Sequence, residues 1–300
     1  MPIEEIKKVC FIGAGTMGCF NSLWTSIFGY PCVVYDISAE ALERAPARQR
    51  ELGALVVAQG KLTQELLDVG LSRVTYTTNI SEAVQGADLV SESVPEKLSL
   101  KRETHRQLDE ICAPETILTT NTSYLLVSEI EDVVKRGDRF AALHFHLGAP
   151  LLDIVGGPRT SSKTIDALKR FAASIMQTAV TAKKEKDGYL FNSIIFSMFK
   201  TALNLVADGY ADFMDVDRAY MAALSQFAGP FGSMDYVGLD IILHTIESQG
   251  LRRDPEGCEK AATVIRPLVE SGNLGYKTGK GFYTYPNPAF QQPDFLFTTA

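Results

Sequence analysis

Over the first 186 residues, short apolar runs alternate with longer stretches in which apolar side chains recur every three or four positions. The runs at 10–12, Cys32–Tyr35, Val74–Thr77, 89–94 and 116–120 predict strands, and the stretches at 16–26 and Leu98–Ile111 predict helices among them. This alternation implies a parallel sheet covered on both faces, with ligands bound beyond the carboxyl ends of its strands. Residues 38–71, interrupted by Gly60-Lys61, predict two helices, the second capped by Thr63 with Glu65 in its first turn. Such an excursion exceeds what a crossover needs; it serves either as a substrate arm or as a cover for the sheet edge. Two further strands are expected at 140–146 and 152–155, joined by Leu147-Gly148-Ala149-Pro150.

The strand pattern stops near Lys183-Lys184-Glu185-Lys186-Asp187-Gly188, and beyond it helices are expected at 189–210, 216–225, 234–249 and 258–271. Two domains follow from this, an α/β domain at 1–186 and an all-helical one at 187–300. Phe, Ile, Leu and Met fill so much of 190–205 that one stripe cannot hold them all. That helix is expected to be buried on most sides, in a core or at a subunit interface.

Composition changes this picture little, because 46% hydrophobic residues in a chain of 300 is ordinary for a globular protein of two domains. The net charge of −7 argues against a general nucleic-acid binder, which needs a basic face, but not against a nucleotide held by local dipoles. Five cysteines, at 10, 19, 32, 112 and 258, lack C-x-x-C spacing and read as small buried hydrophobes in a reducing compartment. The first residues do not resemble a signal peptide, and no apolar run approaches membrane-span length, so a cytoplasmic protein is expected.

The candidate chemistry begins at Gly13-Ala14-Gly15-Thr16-Met17-Gly18, a G-x-G-x-x-G placed where a strand turns into a helix. Gly13 permits the tight turn, Gly15 admits a pyrophosphate to the backbone, and Gly18 lets helix and strand pack closely. The free N–H groups at the helix start would hold the phosphates. Asp36 ends the second strand at the distance where a carboxylate accepts hydrogen bonds from an adenosine ribose, which favours NAD over NADP; the plainer alternative is a capping Asp beside a glycine loop.

Glu96, Lys101 and Asn121-Thr122-Ser123 fall at strand ends, although Ser123 or Asn121 could also simply cap a helix over 123–130. His144 and His146, two apart, point to one face of a strand, with Asp153 on the next strand. A metal site is one reading, but no third His or Cys lies close in sequence. A histidine–carboxylate pair beside a dinucleotide suits proton abstraction better.

Taken in order, "IGAGTMG", "GKLT", "SESVPEKLSLK", "TNTSYL", "RFAALHF", "GPFGSMDYVGLD" and "GNLGYKTGKGFYTY" resemble the L-3-hydroxyacyl-CoA dehydrogenase family, bacterial 3-hydroxybutyryl-CoA dehydrogenases in particular. The resemblance runs from about Lys8 to Tyr285. It implies a Rossmann-type NAD-binding domain with a helical-hairpin arm, followed by a helical domain that forms a homodimer. It further implies that Asp36 binds the ribose, that Glu96 and Lys101 lie on the nicotinamide side of NAD, and that Lys61 lies in a region that contacts CoA. In the same way His144 matches the catalytic histidine, Ser123 the serine that bonds the substrate oxygen, and Asn192 the asparagine of the family's "PGF-x-x-N" segment. The departures lie in the catalytic loop. The family carries a glutamate twelve residues after the histidine, where a gapless match puts Gly156. Matching "DIVGGPRTS" instead, with three residues deleted from the loop, makes Asp153 the partner. His146 stands where the family has Phe, Tyr124 follows Ser123, and Asp187 replaces a proline. These changes bear on the substrate more than on the chemistry: a short-chain 3-hydroxyacyl-CoA is expected, with a carrier-bound or free hydroxy acid, or a silent NAD-binding protein, as the alternatives.

Overall fold

The computed structural model describes residues 5–248 and 254–297. Contacts divide the chain into two units, Met1–Leu190 and Phe191–Ala300.

In the first unit, β1 (Val9–Ile12), α1 (Thr16–Ile27) and β2 (Cys32–Tyr35) lead into α2 (Ala39–Ala58), α3 (Gln64–Leu71), β3 (Val74–Thr77), the single turn α4 (Ile80–Ala83) and β4 (Leu89–Glu92). Then come α5 (Leu98–Ile111), β5 (Ile117–Thr120), β6 (Phe140–Phe145), β7 (Leu151–Gly156), α6 (Ser162–Ser174) and β8 (Thr178–Thr181). The eight strands form one sheet in the order β3-β2-β1-β4-β5-β6-β7-β8, a doubly wound arrangement. All neighbours run parallel except β6 and β7. Every residue of the interior strands β1, β4 and β5 is buried, as the sequence of a two-sided sheet requires, whereas the edge strands β3 and β8 are mostly half-buried.

The helical arm is α2 and α3, capped by Ser38 and Thr63 through their side-chain oxygens. The expected start of α3 at Thr63 holds. Other local expectations do not. Residues 123–126 form a loop, with 3₁₀ turns at Val127–Glu129 and Glu131–Val133 in place of a capped helix. The hydroxyl of Thr122 and the carboxylate of Glu96 take the loop's N–H groups, which removes the incentive to coil. The helix α6 and strand β8 escaped the sequence reading because the segment before Lys183 carries no glycine-rich turn to separate them.

The second unit holds α7 (Phe191–Ala207), α8 (Phe213–Leu224), α9 (Pro230–Val237), α10 (Leu239–Ser248) and α11 (Pro255–Glu270). One expected helix over 234–249 is two, because Gly238 breaks it with φ 104; Gln249 lies outside the described residues. The helix α7 was expected to be buried on most sides, yet in the single chain only Phe199, Ala202 and Leu203 are fully buried, and Phe191, Ile194 and Leu205 are exposed. Two buried carboxylates organise the unit: Asp217 accepts from the N–H groups of Phe231 and Gly232, and Asp235 from those of Phe282 and Tyr283.

Candidate active site

The dinucleotide turn fits its cofactor on stereochemical grounds. A Cβ at Gly18 would lie 1.8 Å from the Gly13 carbonyl oxygen, and Gly13 itself adopts φ +105 with a Cβ position 2.9 Å from the Ser93 carbonyl oxygen. Both therefore have to be glycine. Nothing lies within 4 Å of a Cβ at Gly15, which leaves the open approach that a pyrophosphate needs. Thr16 and Met17 begin α1, whose N-cap at Gly15 has no side-chain bond and whose first turn has no acid. Its N–H groups thus face no competing anion. Asp36 is fixed at the end of β2, one oxygen accepting from Ala14 N at 2.7 Å and the other from Ser38 N at 2.9 Å.

The candidate catalytic side chains are assembled at the same end of the sheet. The β6–β7 ladder pairs His144 directly with Asp153, and Gly156 with Ala141, so Asp153 and not Gly156 faces the histidine. His144 Nδ1 lies 3.3 Å from Asp153 Oδ2, and its Nε2 lies 2.9 Å from Ser123 Oγ. An ionised carboxylate only accepts, so the proton sits on Nδ1 and the Nε2 lone pair is turned towards Ser123. Asn121 braces this corner: its Oδ1 accepts from Phe145 N at 2.8 Å.

An acid in contact, such as Asp153, by itself raises a histidine pKa. Burial acts the other way and prevails, holding the imidazole below its ordinary value although Asp153 opposes the shift. Burial also disfavours the charge on Asp153, but hydrogen bonds from His144 and His146 outweigh it and keep the carboxyl below its ordinary value. The result is a neutral histidine beside an ionised acid.

His146, just past the strand end, places Nε2 2.6 Å from Asp153 Oδ2. The donor atoms of His144, His146 and Asp153 all lie within 4.8 Å of one another. Two ligands of one tetrahedral zinc ion stand about 3.3 Å apart, so the short His146–Asp153 contact describes a hydrogen-bonded cluster better than a coordination shell.

Ser123 is held by Glu96, whose Oε1 accepts from Ser123 N at 3.0 Å, from Tyr124 N at 3.1 Å and from the Thr122 hydroxyl. Behind Glu96, Lys101 is 1% exposed and donates to Glu92 Oε1 at 2.7 Å, with Glu96 Oε2 at 3.4 Å. The ammonium is enclosed beneath the surface, so its action on a cofactor passes through Glu96. His105 contacts the other oxygen of Glu92 at 3.2 Å, and these partners draw the Glu92 carboxyl down to about 2 against the cost of burial. This buried network was not anticipated, although a charged residue inside the otherwise uncharged run Leu89–Glu92 was a signal.

Lys61 is exposed and lines a cavity of about 200 Å³ walled by Phe20 and Trp24 of α1, Leu52, Leu55 and Val56 of α2, and the 147–150 turn. Asn192 lies in the first turn of α7, in the second unit.

The family model for the 3-hydroxyacyl-CoA dehydrogenase NAD binding domain matches residues 8–186, and that for the C-terminal domain matches 188–285. A probable 3-hydroxyacyl-CoA dehydrogenase of Caenorhabditis elegans is 31% identical, over 94% of this chain and 97% of its own. A probable 3-hydroxybutyryl-CoA dehydrogenase of Bacillus subtilis is 30% identical, over 94% and 98%. The solved structure of a diketoreductase acting on dicarbonyl compounds is similar with a TM-score of 0.86 and 30% identity, over 94% of this chain and all (100%) of that one. The chain belongs to the 3-hydroxyacyl-CoA dehydrogenase family and is an NAD-dependent oxidoreductase.

Proposed function

We propose that the protein interconverts the 3-hydroxyl and 3-keto forms of a short-chain 3-hydroxyacyl-CoA, with His144 as the general base. The observation that carries this reading is the chain Ser123 Oγ, His144 Nε2, His144 Nδ1, Asp153 Oδ2, with links of 2.9 and 3.3 Å. In the oxidation, His144 Nε2 accepts the hydroxyl proton as the carbonyl forms, and Asp153 stabilises the resulting imidazolium. NAD supplies the hydride acceptor. Ser123 holds the substrate oxygen, a positional role that provides much of such a rate; for Asn192 the assignment rests on the family resemblance alone. Gly13, Gly15, Thr16, Met17, Gly18 and Asp36 bind the cofactor, while Glu96, supported by Lys101, and Asn121 shape the nicotinamide side.

The apolar cavity beside the 147–150 turn, with Lys61 on its wall, supports a CoA thioester, whose uncharged arm and anionic phosphates match those two kinds of surface. The shortened turn and the similarity to a diketoreductase favour a second reading, in which the substrate is a hydroxy or keto compound without CoA. Exposed Phe191, Ile194, Phe227 and Ile241 in the second unit support pairing with a second copy of the chain. Among the described residues no helix is long and apolar enough to cross a membrane, and a cytoplasmic site of action is proposed.

The test is NADH absorbance with purified protein and acetoacetyl-CoA. Decay is expected, lost in His144→Ala while NADH still binds. Undiminished turnover in that variant would overturn the assignment of the base; decay with free diketones alone would select the second reading.

A further inference from the structure

We infer that His146 is a positioning residue that sets the basicity of His144, by competing with it for the one carboxylate oxygen that both histidines share. The inference deepens the reading of His144 as the base, and rests on it for its kinetic consequence only.

The geometry is specific. His146 Nε2 stands 2.6 Å from Asp153 Oδ2, whereas His144 Nδ1 stands 3.3 Å from the same atom. The other oxygen, Asp153 Oδ1, makes no hydrogen bond among the described residues. All the hydrogen bonding of this buried acid, 1% exposed, thus converges on one atom, and the shorter bond belongs to His146. A carboxylate oxygen that already satisfies one close N–H donor stabilises a second donor less, so the Asp153 charge reaches His144 attenuated. The imidazole rings meet edge to face with centroids 4.4 Å apart, close enough that a proton on His146 would directly disfavour one on His144. Both effects have one sign: His146 weakens the hold of His144 on its proton.

The other groups facing His144 do not perform this function. Ser123 is neutral and meets Nε2, on the far side of the ring. Glu96, on the loop after β4, favours the imidazolium through its charge. Tyr189, whose ring centroid lies 5.6 Å away on the segment after β8, is buried, and its phenol is pushed well above its ordinary value, so it stays neutral. Of these groups, His146 alone takes charge from Asp153.

The functional consequence is a base that stays unprotonated at lower pH than a simple His–Asp pair would allow. Oxidation of the hydroxyl needs neutral His144 and therefore persists further into acid; ketone reduction needs its proton and therefore fades sooner as pH rises.

The test follows His144 directly. The chain has four histidines, so ring nitrogen resonances of the full-length, 15N-histidine-labelled protein can be separated. In His146→Phe, which removes the N–H donor to Asp153, the His144 pKa is expected to rise by about half a unit to one unit. In His146→Gln, which keeps an N–H donor, it is expected to rise less. An unchanged or lowered His144 pKa in His146→Phe overturns the inference. Should that variant not fold, His146→Asn, too short to reach Asp153, takes its place under the same criterion. The acid limb of kcat/KM for hydroxyl oxidation is read alongside and is expected to move up with the titration. If the titration moves and the limb does not, His146 still positions Asp153, and it is the assignment of His144 as base that fails.

Discussion

Asp153 reaches His144 although it is one methylene shorter than the glutamate its family carries, because the two residues are direct partners across the β6–β7 ladder. Directly opposed residues in an antiparallel pair are the closest side-chain neighbours a sheet offers, which makes up the lost reach. Its proposed task is to keep the proton on Nδ1 and the lone pair on Nε2. In Asp153→Asn the amide can donate to Nδ1, which would place the proton on Nε2, where the base must be empty. Activity is expected to fall by about 10²–10⁴-fold, the range of a lost general base, with NADH affinity unchanged. Initial rates and NADH fluorescence titration check this, and a loss of less than about threefold would leave Asp153 without the assigned role. His144 near the end of β6, Asp153 within β7 and Ser123 just past β5 could be picked out of the sequence because each lies in or beside a recognisable strand. The direction of the His144 pKa could not, since desolvation depends on what covers the ring, and no spacing rule reports that.

At the scale of elements, the position of Ser123 depends on a strand and a helix, β4 and α5. Glu92 of β4 binds Lys101 and His105 of α5, and Lys101 in turn stands beside Glu96, which holds the 122–124 loop. Glu92 is fully buried and its folded-state pKa, about 2, lies below its ordinary 4.5. A depressed carboxyl contributes stability that is present above the unfolded value. That stability is lost as pH falls from about 4.5 through about 2, because the unfolded chain takes up the proton first. Glu92→Gln leaves the Lys101 ammonium buried beside a neutral amide, and is expected to cost about 3–5 kcal/mol in urea unfolding at neutral pH. The acid loss of stability between these pH values should also flatten in the variant; an unaltered acid profile would show that other carboxyls govern it. The strands and the glycine turn were legible because short apolar runs, a G-x-G-x-x-G and the cap at Thr63 are local signals. The loop at 123–126 was not, because its N–H groups are satisfied by Glu96, 27 positions away in sequence from Ser123.

At the scale of the whole molecule, the sequence left open whether α7 is buried in a core or at a subunit interface. The apolar richness of α7 reads as burial, yet in the chain alone Ile194 is 70% exposed and Phe191 40% exposed, three positions apart on one helix face. Elsewhere in the same unit Phe227 is 68% exposed. Large apolar side chains left open in this way are what the second copy of the chain proposed above would cover, each worth about 1.5–3 kcal/mol when fully buried. The proposed occupant is a second copy, since that burial is then gained twice across a two-fold axis. Light scattering at micromolar concentration is therefore expected to give twice the chain mass. Ile194→Glu should shift that mass to the monomer while leaving the helical circular dichroism intact, because a charge there is harmless in water and costly under a partner. A wild-type monomer would overturn the dimer outright. A dimer that survives Ile194→Glu would move the contact from the α7 face to the surface around Phe227, where Phe227→Glu applies the same criterion.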